Sequence, residues 1–198
     1  MPETASEHVV LLDEDGRSLG LAEKLATHHS DTPLHLAFSC YIFDAAGRLL
    51  ITQRALSKKV FPGVWTNSVC GHPSEGERLE EAVRRRAERE LGMSVSELRL
   101  VLPEFRYRAE LDGIVENEIC PVLVAVADCT PSPAADEVEA HEWVDWSEFS
   151  EGVLNGTRSI SPWCRLQVQQ LVSLGSNPSD WPTAPESQLP PALNHFKA

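Results

Sequence analysis

The stretch from Gly71 to Met93 constrains this chain more than any other. Residues 77–91 read as a helix, and Gly92 stands where a left-handed C-terminal cap is expected. At about 100° per residue, Leu79, Val83, Arg86 and Glu90 fall within about 40° of one direction, flanked by Ala82 and Ala87. A helix docking on a sheet buries such a stripe, and buried charge is costly unless it is paired. Either Arg86 and Glu90 neutralise each other one turn apart, or the stripe faces a polar site. In the second case the glutamate suits a hard divalent cation and the arginine suits phosphate oxygens.

Charge points the same way. The chain carries 17 basic and 30 acidic residues, for a formal net charge of −13. Residues 48–108 run against that trend, with 12 Lys/Arg against 8 Asp/Glu, so the window is +4 and the remainder −17. An acidic chain argues against non-specific nucleic-acid binding and against docking on an anionic membrane. A basic island within it is either a salt-bridged helix or a seat for a small anion. No apolar run approaches the roughly 20 residues needed to span a bilayer, and residues 1–7 are polar, so a cytoplasmic protein is expected. The five cysteines are odd in number and form no CxxC pair, which fits free thiols better than a disulfide framework.

Along the chain, strands are expected at 9–12, 34–43, 48–53, 99–110, 114–127 and 138–144. The turns at 44–47 and 112–113 would make hairpins. Helices are expected at 77–91, 146–153 and 163–174. The fold class is therefore α/β, a mixed β-sheet between helices. Residues 1–174 are expected to form one domain. Residues 175–198 hold five prolines and read as an extended or disordered tail.

Two carboxylates, Glu116 and Glu118, lie two apart in an expected strand and so share a face. Amid Ile114, Ile119 and Val122, their repulsion asks for a cation or a proton. His28, His35 and His72 are candidate metal ligands by residue type. Their spacing does not by itself bring them together with the carboxylates.

The loop and helix from Gly71 through Glu77 and Arg85 to Glu90-Leu91-Gly92-Met93 resemble the Nudix box. That motif holds magnesium and a diphosphate in Nudix proteins. Two of its usual glutamates are replaced here by Arg86 and Arg89, which counts against pyrophosphate hydrolysis, a reaction that gathers carboxylates around metal. Longer motifs are similar to type I isopentenyl-diphosphate isomerases. They are Thr32 to Ser39, Arg54 to Lys59, Pro62 to Pro73, Phe105 to Ala109, Ile114 to Glu118, and Ser161-Pro162-Trp163. The likeness runs from about Val9 to Val172.

The resemblance implies a Nudix-type fold and a site for each residue that matches. His28, His35, His72, Glu116 and Glu118 would hold one divalent metal, manganese or zinc. Glu90 and the backbone carbonyl of Cys70 would hold magnesium. Lys24, Arg54, Lys58 and Arg86 would contact the substrate diphosphate. His29 matches no ligand position, and no role follows for Glu77. The implied reaction moves a double bond within a five-carbon diphosphate, in a monomer with a small-molecule substrate and no nucleic-acid or membrane partner. An unactivated alkene needs an acid on one face of the carbon skeleton and a base on the other. Cys70 and Glu118 resemble that pair; the resemblance leaves open which is acid and which is base, and the assignment preferred here puts Glu118 and Tyr107 on the acid side and Cys70 as base. Trp163 matches the aromatic ring that faces the carbocation. Two other readings compete: a Nudix hydrolase of nucleoside diphosphate derivatives, and a metal-dependent binding protein without catalysis.

Overall fold

The computed structural model describes residues 7–193. Its strands and helices follow in the order β1 (His8–Leu12), β2 (Ser18–Glu23), α1 (Lys24–Thr27), β3 (His35–Leu36), β4 (Phe38–Phe43) and β5 (Leu49–Arg54). Then come β6 (Trp65–Thr66), β7 (Val69–Gly71), α2 (Leu79–Leu91), β8 (Val95–Leu102), β9 (Arg106–Leu111) and β10 (Ile114–Ile119). The last are β11 (Val122–Ala127), β12 (Val138–Val144), α3 (Trp146–Leu154) and α4 (Pro162–Leu171). One sheet runs β2-β1-β3-β10-β9 and the other β12-β5-β4-β11-β8, with β6 on β5 and β7 on β4. Both are mixed, because β10 pairs with β3, and β11 with β4, in parallel.

The central strand β4 is buried along its whole length. Strand side chains alternate, so it serves two cores. Phe38, Cys40 and Ile42 meet Val83, Ala87 and Leu91 of α2 on one face. Ala37, Tyr41 and Phe43 meet Phe149, Cys164 and Val168 of α3 and α4 on the other. This is the expected α/β arrangement of sheet between helices. The number of sheets is different: there are two, and three of the expected strands break between them.

Residues 34–43 divide at Ala37, residues 99–110 at 103–105, and residues 114–127 at Cys120-Pro121. The breaks are stitched together: Ala37 N donates to Ile119 O at 3.0 Å, Ser39 N to Pro121 O at 3.1 Å, and Cys120 N to Phe105 O at 2.8 Å. Pro121 has no N–H for a ladder, which gives one of these breaks a local cause.

The C-terminal segment also departs from expectation. Residues 175–193 pack along the second sheet through short 3-10 turns. Trp181 is 2% exposed and meets Phe43 and Trp146 edge-on. Arg99 holds the segment through the carbonyls of Pro178 and Trp181 (2.8 and 2.5 Å), and Ala184 N donates to Leu100 O at 2.8 Å. Proline suits such a segment, which gains its order from burial rather than from a regular backbone ladder. The remainder of the expected tail, 194–198, lies outside the described residues.

Candidate active site

Strand register builds the centre of the site. In the first sheet Glu118 of β10 pairs with His35 of β3 on one side and with Tyr107 of β9 on the other. Directly paired residues point to one face, so the three form a row. Tyr107 Oη donates to Glu118 Oε2 at 2.7 Å, and His35 Nε2 lies 3.4 Å from Glu118 Oε1. Burial raises the Glu118 carboxyl, but the nearby His35 imidazole and the Tyr107 hydroxyl outweigh it and hold the group below the usual range. Burial, with Glu118 beside it, drives the Tyr107 phenol well above its ordinary range, so the phenol keeps its proton.

Two further histidines converge on that row from other elements. His28 closes α1, and its Nε2 lies 3.3 Å from Glu116 Oε2. His72 follows β7, and its Nε2 lies 3.2 Å from Glu118 Oε1. The candidate ligand atoms of His28, His35, His72 and Glu118 all lie within 4.8 Å of one another. Glu116 stands beside that group, in contact with His28, rather than within it.

His35 Nε2, His72 Nδ1 and Glu116 Oε2 are buried without a hydrogen-bond partner among the described residues. Such atoms are costly unless something else satisfies them, and a divalent cation in the cluster would do so for His35 Nε2 and, beside His28, for Glu116 Oε2. His28 Nδ1 contacts Lys24 O at 2.6 Å and His35 Nδ1 contacts Pro33 O at 3.0 Å, which turns both Nε2 lone pairs toward the cluster. Burial pushes His72 well below its usual range, toward the neutral form that ligates metal. The donor set therefore fits a metal. His29, by contrast, is exposed and accepts only a local bond from Asp31 N at 3.1 Å.

Cys70 lies in β7 opposite Ser39 of β4. Its thiol donates to Asn67 Oδ1 at 3.2 Å and lies 3.4 Å from Ser39 Oγ. Burial pushes it up to about 11, against the opposing pull of the Ser39 hydroxyl. Trp163 enters from the start of α4. Ser161 caps that helix by accepting from Cys164 N at 3.3 Å, and Pro162 opens its first turn. The indole packs edge-on against Phe61 (centroids 5.2 Å apart) and tilted against Tyr107 (5.9 Å).

The four candidate diphosphate contacts come from four places. Lys24 begins α1, Arg54 ends β5, Lys58 sits in the loop after it, and Arg86 lies on the buried stripe of α2. Arg54 is held by the carbonyls of Val60 (2.7 Å) and Phe61 (3.0 Å). Arg86 bonds Glu90 Oε1 through Nη2 (2.5 Å) and Nε (2.9 Å), so the internal ion pair anticipated from the sequence is present. The same guanidinium reaches Glu7 at 3.3 Å and Glu137 at 3.4 Å. Glu7 also bonds Lys24 at 2.6 Å, and Glu137 pairs with Lys58. Gly71 is required beneath this cluster, since a Cβ there would lie 2.8 Å from Arg86 Cγ.

All of the site residues expected from the sequence except His35 line one cavity of about 80 Å³, with Phe38, Val60 and Gly71 among its other walls. Lys24, His72 and Arg86 also line a neighbouring cavity of about 330 Å³. Cys70 and Glu90 both line the first cavity. Sequence reasoning missed Glu7, Glu137, Ser39, Asn67 and Phe61. Asn67 stood inside a quoted motif, but nothing in spacing or charge marked its carbonyl as the partner of a thiol and an indole.

Comparison with known proteins adds an independent line. The NUDIX domain model matches residues 33–164. An isopentenyl-diphosphate Delta-isomerase of Saccharopolyspora erythraea is 56% identical over 187 residues, covering 94% of this chain and 96% of its own. One of Mycolicibacterium vanbaalenii is 53% identical over 177 residues, covering 88% and 97%. Among solved structures, a Deinococcus radiodurans protein matches with a TM-score of 0.63 at 22% identity, over 83% of this chain and 98% of that one. The MutT protein of Methanosarcina mazei matches with 0.55 at 19% identity, over 71% and 94%. At these identities the structural likeness speaks to the fold alone.

Proposed function

The chain belongs to the isopentenyl-diphosphate Delta-isomerases, enzymes built here on a NUDIX domain, and from that premise we propose how its residues divide the work. Lys24, Arg54, Lys58 and Arg86 bind the diphosphate, Arg86 in forked geometry. His28, His35, His72 and Glu118, with Glu116 beside them, hold one divalent cation, Mn²⁺ or Zn²⁺. Glu90 and the Cys70 carbonyl hold Mg²⁺ against the diphosphate. Bound there, the cations supply the positive charge that offsets neighbouring carboxylates and substrate oxygens.

The carbon skeleton then lies between Glu118 and Cys70. The free site favours ionised Glu118 and protonated Cys70, so the forward reaction first requires a proton to be taken up by Glu118 and lost from Cys70. Glu118 then gives its proton to the terminal alkene carbon, and Tyr107 returns a hydrogen bond to the carboxylate left behind. The π face of Trp163 stabilises the tertiary cation, and Phe61 and Tyr107 help keep water from it. Cys70 as thiolate takes a proton from the other side, which completes the double bond. One proton thus leaves Glu118 and one arrives on Cys70 in each forward turnover. The pair must exchange with solvent before the next.

The observation that carries this reading is that Glu118 and Tyr107, paired across β10 and β9, line one cavity with Cys70 and Trp163. The same reading takes the enzyme as a cytoplasmic monomer acting on a small diphosphate, not on nucleic acid or a membrane surface. The net charge of −13 supports the choice of partner. Among the described residues no helix is long and apolar enough to cross a membrane.

The test is NMR of metal-loaded protein with Mg²⁺ and isopentenyl diphosphate in deuterated water. Dimethylallyl diphosphate with deuterium in its new methyl group is expected. Cys70→Ala and Glu118→Gln should abolish conversion while keeping the fold and most diphosphate binding. Near wild-type turnover in either variant would overturn the assignment of the pair.

A further inference from the structure

We propose that Asn67 is the positioning residue that sets the Cys70 thiol and the Trp163 indole in register with each other. This rests on the reading that those two side chains act on the substrate. Asn67 is itself 0% exposed, so it acts only through its neighbours.

Its geometry leaves little freedom. Nδ2 donates to Cys40 O at 3.1 Å and to Val69 O at 3.0 Å, which commits both amide protons to the backbone of β4 and the start of β7. Oδ1 must therefore face the opposite way. There it accepts from Cys70 Sγ at 3.2 Å, from Trp163 Nε1 at 3.3 Å and from Thr66 Oγ1 at 2.9 Å. A single oxygen ties a thiol carried by β7 to an indole carried by α4, elements 96 residues apart at the point of contact.

The consequence is directional. In its thiol form, at rest and again after taking up the substrate's proton, Cys70 points that proton at Asn67 and leaves its lone pairs to Ser39 and the cavity. Ser39 Oγ is fixed in turn by Gln167 Nε2 at 2.9 Å. The indole N–H pinned at the same oxygen sets the rotation of the ring, and so the direction its π face presents. Leucine would fill the same space and hold neither group.

Asn67→Leu should lower kcat about 10- to 100-fold, the scale of misplaced reacting groups. KM for isopentenyl diphosphate should stay within about twofold, because Asn67 touches none of Lys24, Arg54, Lys58 or Arg86. Kinetics are referred to the folded fraction by circular dichroism. Asn67→Ser, whose shorter hydroxyl reaches neither group, takes its place if the leucine variant does not fold. Thr66→Val separates positioning from plain structural support: it removes a donor to the same oxygen but touches neither thiol nor indole. Its kcat should remain within about twofold while its Tm falls.

Equal loss of kcat in Thr66→Val and Asn67→Leu, or an unchanged kcat in Asn67→Leu, would overturn the proposal. Near wild-type turnover in Cys70→Ala and Trp163→Phe would instead overturn the underlying reading of the site.

Discussion

Arg86 is a buried cation shared among three carboxylates, and the balance among them decides how it can serve a diphosphate. Lys24, Arg54, Lys58 and Arg86 face Glu7, Glu90 and Glu137, so the cradle is only slightly positive before substrate arrives. Glu137 is the pivot, because one carboxylate joins Lys58 on a loop to Arg86 on α2. Burial raises its carboxyl, yet the ion pairs with Lys58 and Arg86 outweigh that and hold it below the usual range. A carboxyl depressed on folding stabilises the protein above its unfolded pKa, and that stability is lost as pH falls through the folded value. Glu137→Gln should therefore flatten the acid limb of stability against pH, as measured by thermal melts from pH 7 downward. An unaltered limb would show that the pairs contribute nothing. Gly71→Ala places a methyl group against Arg86 Cγ, where only a displaced guanidinium can make room. It should raise KM for the diphosphate by about tenfold, the cost of about 1.4 kcal/mol of binding, with a smaller change in kcat.

At the scale of elements, two helix caps offer a controlled comparison. Asp145 caps α3 by accepting from Ser147 N at 2.8 Å and Glu148 N at 3.1 Å, and Ser161 caps α4. Loss of either cap should cost about 1 kcal/mol, by the usual worth of such groups. Only α4 carries Trp163, two residues beyond its cap Ser161. Ser161→Ala should therefore lower kcat as well as stability, whereas Asp145→Ala should lower stability alone. Urea titration with steady-state kinetics separates the two. The three strand breaks belong to this scale too. Ala37, 103–105 and Cys120-Pro121 carry the chain between the sheet that holds His35 and Glu118 and the sheet that backs Cys70. Unbroken strands at those places would leave the two sets of residues on separate surfaces.

Two long-range ties belong to the whole molecule: the His/Glu cluster proposed to hold a metal, and the C-terminal segment, which packs on Phe43 and Trp146 and reaches Gly16 through Ala192 N. Buried His35 Nε2 and Glu116 Oε2 are each costly alone, so a metal bound to the folded state should stabilise it by mass action. Removing divalent cations by chelation should abolish activity and lower Tm, and Mn²⁺ or Zn²⁺ should restore both. A Tm indifferent to metal would count against the cluster as a site. In the C-terminal segment, Trp181 packs edge-on against Phe43 and Trp146. Trp181→Ala should destabilise by about 3–5 kcal/mol in denaturant titrations, the usual range for a fully buried aromatic. Its kcat should be unaffected in the folded enzyme.

Periodicity was enough to show that α2 buries Arg86 and Glu90, because helix geometry depends on neighbours in the chain. Alternation likewise put Glu116 and Glu118 on one strand face, and long ordered motifs pointed to the family and the reaction. Those are local properties or long matches, and both survive without coordinates. Only the tertiary structure brought His28, His35 and His72 to Glu118, because they sit on three elements whose meeting depends on register across two sheets. It alone divided the apolar runs at 34–43 and 114–127, since a buried strand looks the same whichever sheet it joins. It alone ordered 175–193, where burial of Trp181 overrides a composition that favours extended chain. It alone revealed Asn67 and Glu137, whose roles lie in partners contributed by distant parts of the chain, a relation that no spacing along one chain encodes.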